Sequence, residues 1–327
     1  MWFIQVCATT LVTGAAIGFP NIWGGTLERA FLFGGFLTIG LFHGSADLLL
    51  LRHLSASQKE HSKIRSLIGY LGVITGVALF FWCVPQVVLG FFLLASAFHF
   101  GESQFWKDRV IQSIVPIRER TLIYLLWGTW VILTPILLRP EETLTLLNQL
   151  GSFPIYEPML LSRSPHQLFT IASILFLAAI GSLLWLYFKR KAFSQGVLTQ
   201  ELISLVLLQM TFVYTSVLTS FGVYFILWHS TISLQDQVQA LNQLNANMES
   251  TRLKPYHWLK TYVRAAFPYW SLSVMGAIGI WKADSAGLIP VPITALVFGG
   301  AILLTTPHLF TIRALHNRLH HEIKMMP

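Results

Sequence analysis

Long apolar stretches alternate with short polar ones from one end of the chain to the other. Runs near 1–20, 29–52, 66–84, 87–105, 121–138, 165–188, 200–218, 220–240, 263–281 and 289–313 are predominantly hydrophobic. Each approaches the roughly 20 residues a helix needs to cross about 30 Å of hydrocarbon. The pattern predicts an all-α fold, a polytopic transmembrane helix bundle of about 8–10 helices, with its least distinct boundary at Thr219–Gly222. The first run has no basic residue between Met1 and its apolar stretch. A cleavable signal peptide normally has one there, so a retained helix is expected. The amphipathic segment QDQVQALNQLNANMES either extends the eighth helix or lies on the membrane surface. The expected organisation is one integral-membrane domain, 1–327, whose last residues, 314–327, form a basic cytoplasmic tail.

Composition agrees with this reading. Hydrophobic residues make up 54% and charged residues 11%, against about 25% charged in ordinary soluble domains. Basic residues concentrate after every second run: Arg52, Lys59, Lys63 and Arg65; Lys107, Arg109, Arg118 and Arg120; Lys189, Arg190 and Lys191; Arg252, Lys254 and Lys260; Arg313, Arg318 and Lys324. Because Lys and Arg accumulate on the cytoplasmic side, both termini are expected inside a cell (inner) membrane, with 139–164 outside. The net charge of +8 follows from that topology and requires no nucleic-acid partner. Cys7 and Cys83 lie in apolar runs without metal-type spacing and read as small buried hydrophobes.

The stretch GLFHGSADLLLL, Gly40–Leu51, departs from the apolar rule. An aspartate at the centre of a membrane helix costs roughly 2.5–3.5 kcal/mol, so something has to compensate it. Of the eleven histidines, His53, His61, His166, His257, His316, His320 and His321 fall in loops, at interfaces or in the tail, where solvated surface is the default. The cluster HNRLHH resembles a single desaturase box, and no second box accompanies it. The other four, His43, His99, His229 and His308, lie inside the second, fourth, eighth and tenth runs. They sit about 14, 12, 9 and 19 residues from the outer ends at a rise of about 1.5 Å per residue, which allows them to share a level. Neutral imidazole is a common ligand for iron, copper and zinc. His43 and Asp47 are spaced i, i+4 and His99 and Glu102 i, i+3, so each carboxylate is placed to orient an imidazole from behind. Gly44 and Gly101 leave room for a close neighbour, and Pro307 loosens the helix beside His308.

These elements carry a resemblance. HGSAD at 43–47, FHFGE at 98–102, YFILWHS at 224–230 and TTPHLF at 305–310 resemble, in order, the H-G-x-x-D, H-F-G, H-S-x-x-H and T-x-P-H elements of the Brp/Blh family of membrane β-carotene 15,15′-dioxygenases. The resemblance implies a non-haem Fe(2+) enzyme that splits β-carotene with O₂ into two molecules of retinal, often for a rhodopsin. It implies His43, His99 and His229 as ligands. Phe98, Phe100, Tyr224 and Trp228, which flank these elements, are expected to line the path of a flat polyene arriving from the bilayer.

The chain departs from the family pattern twice. Ser233 stands where H-S-x-x-H has its second histidine, and Gln104 stands where an acid is usual. The fourth ligand is then His308, water or a carboxylate such as Asp47, with Asp47, Glu102 and Ser233 around the ligands. An altered or lost activity is compatible with the change at Ser233. The alternative reading is a non-catalytic carotenoid/retinal-binding protein or an ion transporter with an intramembrane histidine cluster.

Overall fold

A computed structural model of the chain describes residues 1–54, 60–105, 109–151, 156–246, 255–288 and 293–325. These are helical almost throughout, with no strand among the described residues. The apolar runs become α1 (Trp2–Gly18), α2 (Pro20–Leu51), α3 (Glu60–Cys83), α4 (Pro85–Phe105), α5 (Ile117–Leu138), α6 (Pro165–Phe188), α7 (Gln195–Tyr214), α8 (Val217–Gln239), α9 (Pro255–Ser285) and α10 (Ile293–Met325). Among the described residues six of these, α2 and α4 to α8, are long and apolar enough to cross a membrane. Helix continues beyond α8 to Ala246, so the amphipathic segment extends the eighth helix over its described residues.

The boundary between α7 and α8 falls at Thr215 and Ser216, ahead of the expected 219–222. Ser216 adopts an extended conformation and caps α8, its hydroxyl accepting the Thr219 N–H at 3.0 Å. The Ser216 and Thr219 hydroxyls both donate to the Glu28 carboxylate, and Glu142 accepts the Val217 N–H at 2.9 Å. The first N–H groups of a helix have no partner within it, and here hydroxyls and carboxylates supply them. On hydropathy alone the same segment reads as one continuous run.

The chain divides into two compact units, Met1–Phe36 with Gly90–Ser230, and Leu37–Leu89 with Thr231–Pro327. In the first, α6 packs on α5 and α7, and α1 packs on α7. Trp127 and Trp130 of α5 are fully buried, and the Trp130 indole donates to Gln209 of α7 at 2.9 Å. α4 and α5 approach at backbone distance. A Cβ on Gly101 would lie 2.0 Å from the Tyr124 carbonyl oxygen, and one on Gly128 would lie 1.7 Å from that of Ala97. Small residues four apart are how membrane helices come this close. Polar contacts tie α1 in: Trp2 donates to Ser204 at 2.9 Å, and Thr13 and Thr211 share a hydrogen bond of 2.9 Å.

In the second unit α10 packs along α3 and along Asp47–Leu54, the end of α2. α9 crosses α2 near Phe42, whose ring meets Tyr262 and Trp270 edge-on at 5.9 and 6.3 Å. The Trp270 indole donates to the Leu37 carbonyl at 2.7 Å. One expectation fails here. His316, assigned to a solvated tail, is 3% exposed, because α10 continues through the basic segment as a helix. Thr311, Ile312, Leu315 and His316 are all buried, two adjacent i, i+4 stripes that prolong the inward face of His308. His166 is exposed as expected. The side chains of His53, His61, His257, His320 and His321 lie outside the described residues.

The α4–α5 approach gives a stability test. Gly128→Val should lower the thermal midpoint in detergent by the equivalent of about 1–3 kcal/mol, the usual cost of overpacking. Gly181→Ala, where an added Cβ meets nothing within 4 Å, should hold or raise it, alanine being the better helix former.

Candidate metal centre

His99 and His229 meet inside the first unit, their ring centroids 5.0 Å apart. α4 carries His99 between Phe98 and Phe100. His229 ends a π-helical stretch, Val223–His229, a wide turn of the kind found most often at functional sites. Both imidazoles are buried. Ser103, one turn beyond His99, fixes the second ring: its hydroxyl lies 3.2 Å from His229 Nδ1 and also donates to the Phe100 carbonyl at 3.2 Å. A hydroxyl has one hydrogen to give. With that hydrogen on Phe100, Ser103 accepts from Nδ1–H, and His229 presents Nε2 as its basic nitrogen. Phe100, Phe225 and Tyr224 surround the ring at 4.6, 5.8 and 6.5 Å.

The second unit brings His43 and His308 to the same separation, 5.0 Å between ring centroids. Asp47 was expected to orient His43. Instead its Oδ1 accepts from His308 Nδ1 at 2.8 Å, and its Oδ2 accepts from the Tyr70 hydroxyl at 3.0 Å. The helix is interrupted at Ala46, and Asp47 opens a new helical segment, so the i, i+4 geometry of an unbroken helix does not apply across it. His43 sits against the Ile39 and Gly40 carbonyls, the end of a second π-helical stretch, Phe36–Gly40. With Asp47 on its Nδ1–H, His308 also presents Nε2. A Cβ on Gly44 would meet nothing within 4 Å, so that glycine answers no close approach, whereas Gly101 answers one by another helix. α10 runs unbroken through Pro307, and Thr311 donates to the Pro307 carbonyl at 3.1 Å.

The remaining expected residues divide between these surroundings and other tasks. Glu102 is buried one turn beyond His99. Ser233 is buried and accepts from Gln237 Nε2 at 3.2 Å, and Gln237 Oε1 accepts from the Tyr262 hydroxyl at 2.5 Å. Phe100 and Tyr224 face one another at 5.1 Å beside His229. Phe98 packs on Tyr124 at 5.8 Å. Trp228 donates its indole N–H to Thr9 at 2.8 Å and thereby braces α1. Gln104 donates to Glu201 of α7 at 2.7 Å, so a carboxylate stands next to the position that lacks one. Ser103, Tyr70, Gln237 and Tyr262 were not expected. Ser103 is spaced i, i+4 from His99 and was findable on that ground, whereas nothing in the sequence around Tyr70 marks it.

As a donor set these residues suit a divalent transition metal. Each unit brings two buried imidazoles to 5.0 Å, and in one of each pair Nδ1 is held by a hydroxyl or a carboxylate, the usual arrangement behind a metal-bound histidine. Among known families, the one described as beta-carotene 15,15′-dioxygenase matches residues 35–316. No curated protein and no solved structure matches the chain.

The tautomers can be checked without a metal. Nitrogen-15 NMR of the histidine-labelled, metal-free protein in detergent should show Nδ1–H for His229 and for His308. Ser103→Ala should release that preference at His229 alone, because the hydrogen bond on one ring nitrogen sets where the proton sits.

Proposed function

The chain belongs to the beta-carotene 15,15′-dioxygenase family, and from that premise we propose that it is a membrane-embedded, Fe(2+)-dependent oxygenase that cleaves β-carotene or a related carotenoid with O₂ to give retinal. His43, His99, His229 and His308 are the proposed ligands, with Asp47 and Ser103 behind two of them. The observation that carries this reading is the pair of buried imidazole couples, each at 5.0 Å, formed by His43, His99, His229 and His308, all of which fall within the matched residues. Bound iron would supply the activation of O₂, which four histidines permit by leaving coordination positions open.

The chain's own residues do the rest. Ser103 and Asp47 hold two imidazoles in the tautomer that offers Nε2. Phe100 and Tyr224 offer ring faces and edges beside His229, suited to a planar polyene. Both rings are buried, which keeps water from that side of His229. The substrate dissolves in the bilayer, so an enzyme whose helices can span it meets its substrate there. Retinal passing to a rhodopsin is the proposed fate of the product. Ser233 favours one rival reading, a carotenoid- or retinal-binding protein without turnover, since its hydroxyl is engaged with Gln237 where the family pattern has a histidine.

Expression in a β-carotene-accumulating bacterium separates the two. The oxygenase bleaches the colour and yields retinal, and His43→Ala, His99→Ala and His229→Ala each abolish both product and bound iron while the protein stays in the membrane. Intact, iron-supplied protein that yields no retinal would leave the binding reading standing instead. The same chromatography on His308→Ala decides its place, product loss marking it as the ligand that replaces position 233.

We further propose the inner membrane with both termini cytoplasmic. Reporter fusions after residues 60, 115, 191 and 255 should then read cytoplasm, and a fusion at 150 should read outside. A cytoplasmic signal at 150 would reverse the shared direction of the four histidine-bearing helices.

A further inference from the structure

Asp47 is 1% exposed and both of its oxygens are bonded, one by His308 at 2.8 Å and the other by Tyr70 at 3.0 Å. Two hydrogen bonds on opposite oxygens fix a carboxylate in rotation as well as in position. With only the His308 bond, the carboxylate could turn about its own axis and carry the imidazole with it. Tyr70 comes from α3, a helix that contributes none of the four proposed ligands. Tyr262, a buried phenol of this unit, donates its proton to Gln237, whereas Tyr70 donates its proton to Asp47.

We propose that Tyr70 is a positioning residue for the metal centre: its hydroxyl locks the Asp47 carboxylate, the carboxylate holds His308 Nδ1–H, and Nε2 of His308 is thereby aimed for metal. The inference rests on the functional reading above and extends it to a residue outside every histidine element. Such a lock acts in series, Tyr70 through Asp47 and Asp47 through His308. Loss of a partner behind a metal-bound histidine costs about 10–100-fold in metal affinity, and the more remote Tyr70 belongs at the lower end of that range.

The test is a double-mutant cycle on the full chain in detergent. Fe(II) affinity is read by competition with a chromogenic chelator, and the thermal midpoint of the metal-free protein is read in parallel. Tyr70→Phe removes one oxygen and keeps the ring. It should weaken Fe(II) binding about 10-fold and leave the metal-free midpoint close to wild type. Asp47→Asn should weaken binding more, and Tyr70→Phe/Asp47→Asn should bind no worse than Asp47→Asn alone, because effects in series do not add. Three results would overturn the inference while sparing the functional reading: wild-type affinity in Tyr70→Phe, losses that multiply in the double variant, or a midpoint lowered equally by Tyr70→Phe with and without Asp47. A folded wild type that takes up no Fe(II) would overturn the functional reading itself, and the inference with it.

Discussion

A charge buried away from water has to find its partners inside the protein, since an isolated carboxylate in an apolar interior is far costlier than a paired one. Asp47 meets that demand with a phenol from α3 and an imidazole from α10, so three segments of its unit are joined at one side chain. Packing and chemistry are not separable there. The contact that makes the aspartate tolerable is also the contact that turns His308 to present Nε2. Glu28 repeats the logic in the other unit, where its carboxylate gathers the Ser216 and Thr219 hydroxyls and secures the start of α8.

The two oriented imidazoles are held by different means, and the difference has a chemical meaning. His229 has a neutral hydroxyl behind it and His308 a carboxylate. A carboxylate behind a metal-bound imidazole raises its basicity as a ligand, whereas a serine fixes direction with little electronic effect. The two would therefore not be equivalent donors. The rings of Phe100, Tyr224 and Phe225 give His229 a largely aromatic surrounding.

Much of this was legible in the chain. Ten apolar runs became α1 to α10, and four histidines were picked out because each falls inside an apolar run. The misreadings have identifiable causes. Asp47 was assigned to His43 because a uniform helix was assumed across Ala46. The α7–α8 boundary was placed late because Thr215 and Ser216 scarcely interrupt the hydropathy, although Ser216 has the chemistry of a cap. His316 was assigned to a tail because Arg313 and Arg318 flank it, while the buried face of α10 continues regardless of its charged neighbours. Tyr70 was invisible because a tyrosine in an apolar helix has many ordinary uses, and its partner lies 23 positions away in sequence.

The π-helical stretches at Phe36–Gly40 and Val223–His229 bear on how these helices tolerate change. A wide turn takes in one residue more than an α-turn does, and one residue is about 100° of rotation around a helix. The direction in which His229 points is therefore set by how many residues lie between Val217, where Glu142 secures the start of α8, and the ring itself. Exchanging one apolar residue for another in that interval leaves the bearing of the imidazole alone. Adding or removing one swings it by more than a quarter of a turn. In this stretch the count of residues, more than their identity, is the information that the segment carries.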